Sequence, residues 1–204
     1  LKDKLVLSMK QSYNSFTEIT DFHFFNCSNL PITEEQYLVK HYHDSNEVIS
    51  IASSNYERGQ RWSPYQDSDL FFKIPIRTEI NNEFLVRTKK LDENLLSNKI
   101  ERPCGPGIML ETGLFMALHL GVKNIYSIGW DLTSKKVNED TYPHFYGNTK
   151  KMVNRGDIMS WEIEEARLFT KDIYDWCKLN ETGFYICSGP SALCEEIPRI
   201  DLRK

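Results

Sequence analysis

This 204-residue chain has only five cysteines, and no two of them form a Cys-x-x-Cys motif. An odd number without that spacing argues against a zinc ribbon or a disulfide framework. Most lie within or beside apolar runs, which favours free buried thiols in a reducing compartment over metal binding. They are Cys27, Cys104, Cys177, Cys187 and Cys194.

Other features are missing as well. No apolar run reaches the ~18 residues of a transmembrane helix. The net charge of −4 argues against broad binding of nucleic acid, which requires a strongly basic face. The turn Gly105-Pro106-Gly107 follows neither the P-loop pattern nor the Gly-x-Gly-x-x-Gly pattern, so ATPase and NAD-dehydrogenase interpretations lose support. Because no repeat or linker is visible, we predict a single domain over residues 1–204.

The patterns that are present predict an α/β fold. Short runs rich in β-branched and aromatic residues predict strands, and several runs are apolar throughout, as in strands covered on both faces. Helical periodicity intervenes, which predicts a mainly parallel, Rossmann-like sheet with helices on both faces. The predicted strands are 5–9, 22–26, 48–52, 70–74, 125–129 and 184–188, and the predicted helices are 33–40, 110–120 and 161–178.

Polar residues follow several of the predicted strands. They include Ser8 to Ser12, Asn26 to Asn29, Ser53 to Asn55, and Asp131. Parallel strands bring their carboxyl ends to one edge of the sheet, which is where open α/β folds bind ligands. The glycine turn at 105–107 opens the helix before Asp131, and the free N–H groups at a helix start bind phosphate well. The sequence therefore predicts a nucleotide site at this edge.

A long segment, residues 133–160, separates the fifth strand from the last helix. It carries Tyr142 and His144, and a loop of this length in a compact domain is either a functional lid or a disordered linker. We predict a lid over residues 133–160, with Ser160 as the N-cap of the helix that follows. A solvated loop is the alternative.

Three side chains are candidates for chemistry. Asp131 is placed to bind a ribose hydroxyl, a metal or an acceptor hydroxyl, with a local backbone cap as the alternative. Histidine ordinarily titrates near neutral pH, so His144 is a candidate general base or acid, with an exposed loop histidine of no catalytic role as the alternative. Arg102 stands beside the glycine turn to meet a phosphate, with an ordinary surface arginine as the alternative. The other histidines are interpreted as structural or as surface residues: His23 in a strand, His41 and His43 in a surface segment, and His119 in a helix.

The stretch from Arg102-Pro-Cys-Gly-Pro-Gly107 through the apolar helix to Asn124-Ile-Tyr-Ser-Ile-Gly129-Trp-Asp131 resembles a motif of bacterial metal-independent sialyltransferases of lipooligosaccharide synthesis. In that family an Arg-x-x-Ser-Gly turn precedes the helix, and the strand reads Ile-Tyr-Leu-x-Gly-x-Asp. The same core occurs in motility-accessory-factor glycosyltransferases and in a pterin pyrophosphokinase family. The resemblance implies a Rossmann-like nucleotide-donor fold.

Site roles follow from the resemblance. It implies that Asn26 contacts the donor nucleotide, usually CMP, and that Gly105 and Gly107 lie against the nucleotide near Arg102. Tyr142 takes the position of a tyrosine that steadies the leaving phosphate. The chain departs from the family pattern in having Pro106 in place of the turn serine. It also has no histidine after His144, so either His144 or Asp157 replaces the family's catalytic histidine, or the chemistry differs.

The resemblance also sets expectations for activity and location. We expect a cytoplasmic glycosyltransferase at the inner face of the inner membrane, using a CMP-linked sugar donor and a glycan acceptor, with no metal and no tightly bound cofactor. Homo-oligomerisation is a further expectation, and nucleic acid is not an expected partner. The family opens with a Gly-x-Gly-Pro-Ser-like loop that nothing before Leu5 supplies, so an upstream strand is expected to be missing or lost. The alternatives are a Mg²⁺-dependent pyrophosphokinase or phosphotransferase with Asp131 on the metal, and a non-catalytic nucleotide-binding relative.

Overall fold

The computed structural model describes residues 3–9, 12–27, 41–54, 68–73, 113–130, 156–187, 191 and 193–202. These residues belong to two compact units, Leu1–His119 and Leu120–Lys204. None of the described helices is both long enough and apolar enough to span a membrane. The prediction of a single domain stays a prediction.

The first unit contains a four-stranded parallel sheet. Its strands are β1 (Leu7–Met9), β2 (Phe22–Cys27), β3 (Ile49–Ser54) and β4 (Leu70–Lys73), adjacent to one another in chain order. A short helix α1 (Tyr13–Phe16) and a 3₁₀ turn (Thr17–Ile19) connect β1 to β2, and residues 41–45 are helical before β3. All four predicted strands are confirmed to within two residues at either end.

The two faces of this sheet differ in chemistry. On one face Phe24 and Ile51 are fully buried, and Met116 packs against them together with apolar residues of the neighbouring strands. Met116 belongs to helix α2 (Phe115–His119). Successive strand residues alternate between faces, so His23 and Phe25 lie on the other face, where their rings contact Tyr42 and His43 of the 41–45 helical segment. Helical residues therefore cover both faces, as expected for a parallel α/β sheet.

The strand order bears on the Rossmann-like prediction. A doubly wound fold reverses its strand order at one point, and ligands bind at that point. The four strands of the first unit run β1-β2-β3-β4 without a reversal. The described residues therefore show an open parallel α/β sheet, and the Rossmann-like assignment stays a prediction.

The second unit contains two parallel strands and the longest helix. Strand β5 (Asn124–Ser127) pairs with β6 (Gly183–Ile186), in agreement with the predicted pair to within two residues. Beyond β6, Ile186 exchanges backbone hydrogen bonds with Pro198 and Ile200. The buried core of this unit comprises Ile173, Cys177, Phe184, Ile186, Leu193 and Ile197.

Helix α3 (Gly156–Leu179) begins earlier than predicted. The prediction of Ser160 as N-cap is wrong, since Ser160 lies inside the helix, and residues 156–160 of the segment expected to form a loop are helical. The spacing of apolar residues predicts an inner stripe of Ala166, Phe169, Ile173 and Trp176. Ile173 is buried as predicted, together with Thr170 and Cys177, whereas Trp176 is only half-buried.

Candidate functional site

The carboxyl ends of β2, β3 and β4 share one edge of the four-stranded sheet. In the parallel register Asn26 stands beside Ser53, and the last row consists of Cys27, Ser54 and Lys73. The aligned ends agree with the expectation that polar strand ends gather at one edge. The structure thus places the backbone of Asn26 at the penultimate position of a central parallel strand.

Most of the predicted site residues lie outside the described part of the chain. They are Arg102, Gly105, Gly107, Asp131, Tyr142 and His144. The alternative base, Asp157, lies in the first turn of α3. Residues 133–155 of the predicted lid also lie outside the described residues. The structure therefore neither assembles these residues into a site nor separates them.

The residue before Asp131 is firmly anchored. Gly129 has a positive φ of 77°, a conformation that favours glycine, and it turns the chain at the end of β5. Trp130 is then buried, with its ring 6.3 Å from that of Phe184 on β6. The hydroxyl of Ser191 donates a 2.7 Å hydrogen bond to the Trp130 carbonyl oxygen and accepts a weaker one from the Leu193 N–H. The chain therefore enters position 131 from a fixed point.

Sequence reasoning missed the role of Ser191. The stretch Ser188-Gly-Pro-Ser191 after the last strand predicts a turn, and a turn gives no information about a partner far away in the chain. Serine side chains often bond the backbone two residues further along, so the local bond from Leu193 to Ser191 could have been suspected from the sequence. Its partner at Trp130 is visible only in three dimensions.

A row of polar residues crosses the sheet near the amino ends of its strands. Ser8, His23 and Ser50 are aligned in register and are all buried, on the face opposite Phe24 and Ile51. Asp69 directly precedes β4 and continues the row through its bonds to Ser50. We call these four residues the polar row. It lies at the opposite end of the strands from the edge that carries Asn26.

Asp69 and Ser50 bind each other through three hydrogen bonds. The backbone N–H and the hydroxyl of Ser50 donate to Asp69 Oδ2 over 2.7 and 2.8 Å, and the Asp69 N–H donates to the Ser50 hydroxyl over 3.0 Å. The hydrogen bond from the Ser50 backbone N–H has the largest effect on the pKa of Asp69 and lowers it. The bond from the Ser50 hydroxyl and the nearby charge of His43 act in the same direction. The carboxylate therefore stays ionised and clamps β3 to the start of β4.

The prediction for His23 is confirmed, whereas that for residues 41–43 is partly wrong. His23 is fully buried, and its Nδ1 lies 2.7 Å from Nε2 of His43. His41 is exposed as expected of a surface segment, but Tyr42 is buried and His43 half-buried. The edge of the Tyr42 ring meets the His23 ring, with centroids 5.6 Å apart. Strand β2 and the 41–45 helical segment thus bring the His23 ring against the rings of Tyr42 and His43, which lie about 20 residues further along the chain.

The hydroxyl groups around this cluster are also buried. Burial raises the pKa of Tyr42, and the nearby Thr20 hydroxyl partly opposes that effect. Among the described residues, the buried Ser8 hydroxyl oxygen has no hydrogen-bond partner. A polar atom buried without a partner costs about 1–3 kcal/mol. The cluster can share a proton between two imidazoles.

No group of three His, Cys, Asp or Glu side chains among the described residues is placed to hold a metal ion. The described cysteines are free thiols: Cys177 and Cys194 are buried, and Cys187 is half-buried. The interpretation of these three as free thiols is confirmed.

Comparison with known proteins identifies no relative: no protein-family model, no curated protein and no solved structure matches this chain.

Proposed function

We propose that this chain is a glycosyltransferase that uses a nucleotide-activated sugar in the synthesis of a bacterial surface glycan. The proposal includes a Rossmann-like fold and a CMP-linked donor. It draws on the motif between Arg102 and Asp131, and on one structural observation: Asn26 is the penultimate residue of a central strand of a parallel sheet, near the edge where open α/β folds bind ligands.

Donor binding would involve the polar sheet edge and the glycine turn. Asn26 would contact the nucleotide through its amide, and the N–H groups around Gly105 and Gly107 would face the phosphate, with Arg102 adding a charge-assisted bond. A glycine turn suits this role because the absence of a side chain lets a ligand approach the backbone closely.

Transfer would depend on positioning and on stabilising the departing phosphate. His144 would remove the proton from the acceptor hydroxyl, and Tyr142 would donate a hydrogen bond to the leaving phosphate. Asp131, which follows the anchored Trp130, would orient the ribose or the acceptor. Because the chain enters position 131 from a fixed backbone, the Asp131 carboxylate would need little ordering on binding.

A thermal-shift screen of CMP, UDP, GDP and ADP, each with and without Mg²⁺, tests this proposal. A ligand present at ~100 times its dissociation constant stabilises a protein by about 2.7 kcal/mol, which is a readily measured shift. We expect CMP to stabilise the protein without metal. A response to ADP that requires Mg²⁺ would favour phosphotransfer instead, and no response to any nucleotide would contradict donor binding.

The sheet edge is tested by replacing Asn26. Asn26→Ala should weaken CMP binding at least tenfold. The matched control, Glu47→Ala, alters an exposed residue before β3, at the opposite end of the same strands, and should bind as the wild type does. Equal affinity of both variants for CMP would contradict a role for Asn26 in nucleotide binding.

The catalytic assignment is tested by His144→Ala. This change should lower transfer by at least ~10²-fold, as expected on losing a general base, while nucleotide affinity stays nearly constant. Asp157→Ala is the matched comparison, since it removes the alternative base. Loss of transfer in Asp157→Ala alone would reassign the role, and parallel loss of binding and transfer in His144→Ala would make His144 a binding residue.

A further inference from the structure

The hydrogen bond between His23 and His43 joins two structural elements. His23 is the second residue of β2, and His43 lies on the 41–45 helical segment that packs on the same sheet face. Their rings are 5.0 Å apart between centroids, and the Phe25 ring lies 5.1 Å from that of His43. The nitrogen–nitrogen distance of 2.7 Å is that of a direct hydrogen bond, which holds the segment against the sheet.

The chemistry of this bond limits how many protons the pair can carry. A bond between two imidazole nitrogens needs one N–H and one lone pair. The bond therefore survives when both rings are neutral and when one ring is cationic. When both are cationic, two N–H groups and two positive charges face each other across 2.7 Å, and the contact becomes repulsive.

The groups around the pair favour one charge but not two. Asp69, at the start of β4, interacts with the charge of His43, so its carboxylate supports a single imidazolium. Tyr42 on the helical segment is a neutral phenol near neutral pH, and Ser50 on β3 is already bonded to Asp69. Among the described residues, three further ionisable neighbours in sequence are exposed to solvent: Asp21 before β2, and His41 and Asp44 beside His43 on the segment. Solvent weakens their influence on the buried pair.

A metal ion between the rings is the competing explanation for two facing imidazoles. A stable site needs three or more protein ligands as a rule, and the described residues contain no such group of His, Cys, Asp and Glu. The contact distance is also that of a hydrogen bond and leaves no space for an ion. A proton is therefore the shared particle.

We propose that the His23–His43 bond is a proton-dependent latch, which holds the 41–45 helical segment on the sheet at neutral pH and releases it on acidification. In the unfolded chain each ring binds a proton with an ordinary pKa near ~6.5. The docked pair accepts one proton and resists the second, so the released state binds more protons below that pH. Docking is therefore complete above ~6.5 and is lost progressively as the pH falls.

Two measurements on the full chain test the latch. The first is a ¹⁵N NMR titration of the histidine ring nitrogens from pH 8 to pH 4.5. We expect His23 and His43 to titrate as a coupled pair, with the second protonation well below the ordinary histidine pKa of ~6.5. Independent titration of both rings near ~6.5 would overturn the proposal.

The second measurement compares variants by urea unfolding at several pH values. In the wild type the unfolding constant should rise by up to tenfold per pH unit below ~6.5, which is the effect of one additional proton. His43→Gln keeps a hydrogen-bonding group at position 43 but cannot take the second proton, so this rise should be largely lost. The control, His41→Gln, changes an exposed histidine of the same segment and should retain the wild-type rise.

The outcomes of this comparison are distinct. The same dependence in His43→Gln and in the wild type would overturn the latch, even if both proteins are stable at neutral pH. If His43→Gln does not fold, the NMR titration of the wild type decides alone. The Asp69 carboxylate is not expected to produce this rise, because its pKa is lowered and its contribution to stability is lost only at more acidic pH than that of an ordinary carboxyl group.

Discussion

The Cys177 side chain illustrates how burial alone sets chemical behaviour at the residue scale. It is fully buried on the inner stripe of α3, and desolvation raises its pKa to about 12. Thiolate is the reactive form of cysteine, so a thiol with this pKa is almost unreactive near neutral pH. Burial also raises the pKa of Cys187, but that residue is only half-buried at the end of β6.

We predict that brief treatment of the native protein with iodoacetamide at pH 8 labels Cys187 well before Cys177. The reason is access as well as pKa, since the reagent reaches a half-buried sulfur but not a fully buried one. Peptide mass spectrometry gives the labelled fraction at each position. The control is the same reaction in denaturant, where the two should react alike. Equal labelling in the native state would contradict the placement of Cys177 in the core.

Some residue contacts could not be predicted from the sequence. His23 was expected to be a satisfied buried histidine, because it lies among Phe22, Phe24 and Phe25, and the structure confirms this. Its partner His43 was predicted to lie in a surface segment, because no carboxylate or cysteine stands at a spacing that would complete a metal site with His41 and His43. A contact between a strand and a distant helical segment depends on the course of the chain between them, and local sequence patterns do not predict that course.

At the scale of elements, the end of α3 carries strain. Glu181 has a φ of 56°, the only positive value among the described residues other than glycine. The Thr182 N–H donates to the Cys177 carbonyl oxygen over 2.8 Å, which closes the helix in the manner of a C-terminal cap. Such caps place glycine at the left-handed position, because a side chain there costs about 1–2 kcal/mol.

Glu181→Gly should therefore stabilise the protein, by about 0.5 kcal/mol. Relief of the left-handed strain exceeds the roughly 0.5–1 kcal/mol that glycine adds to the entropy of the unfolded chain. Urea unfolding measures the difference. Glu195→Gly is the matched control, since Glu195 is exposed and has an ordinary φ, and that change should destabilise the protein slightly. A loss of stability in Glu181→Gly equal to that of the control would contradict the strain.

The elements themselves were largely predictable, and the errors have a physical cause. Strands were found to within two residues, because runs such as Phe22 to Cys27 combine aromatic content with buried positions on both faces. The start of α3 was misplaced because Gly156 and Asp157 are weak helix formers, while Ser160 before an acidic stretch looks like an N-cap. The predicted donor and catalytic residues around positions 102–107 and 131–144 lie outside the described residues.

At the scale of the whole molecule, each of the two compact units contains buried apolar residues. Phe24 and Ile51 lie in the first unit, and Phe184 is among the largest fully buried side chains of the second. A large-to-small change at such a position removes packing contacts that the surrounding side chains replace only in part.

Phe184→Ala is expected to cost about 3–5 kcal/mol, the usual range for a buried phenylalanine. Since domains are stable by only ~5–15 kcal/mol, the variant should unfold at much lower urea concentration. Tryptophan fluorescence is a suitable probe, because the Trp130 ring packs near Phe184. The control Leu179→Ala changes a side chain that is 83% exposed and should stay within about 0.5 kcal/mol of the wild type. A cost below ~1 kcal/mol for Phe184→Ala would contradict a well-packed core.

The strand order of the first sheet has a consequence for how the chain folds. Each of its strands pairs with the next strand along the chain, so each pairing closes a short loop, as between Leu7 and Phe22. The pairing of Asn124 with Gly183 instead encloses all of α3 and the segment before it. Closing that longer loop costs about 1 kcal/mol more in chain entropy, and distant pairings form slowly. During refolding, amide protection should therefore appear in β1 to β4 before it appears in β5 and β6.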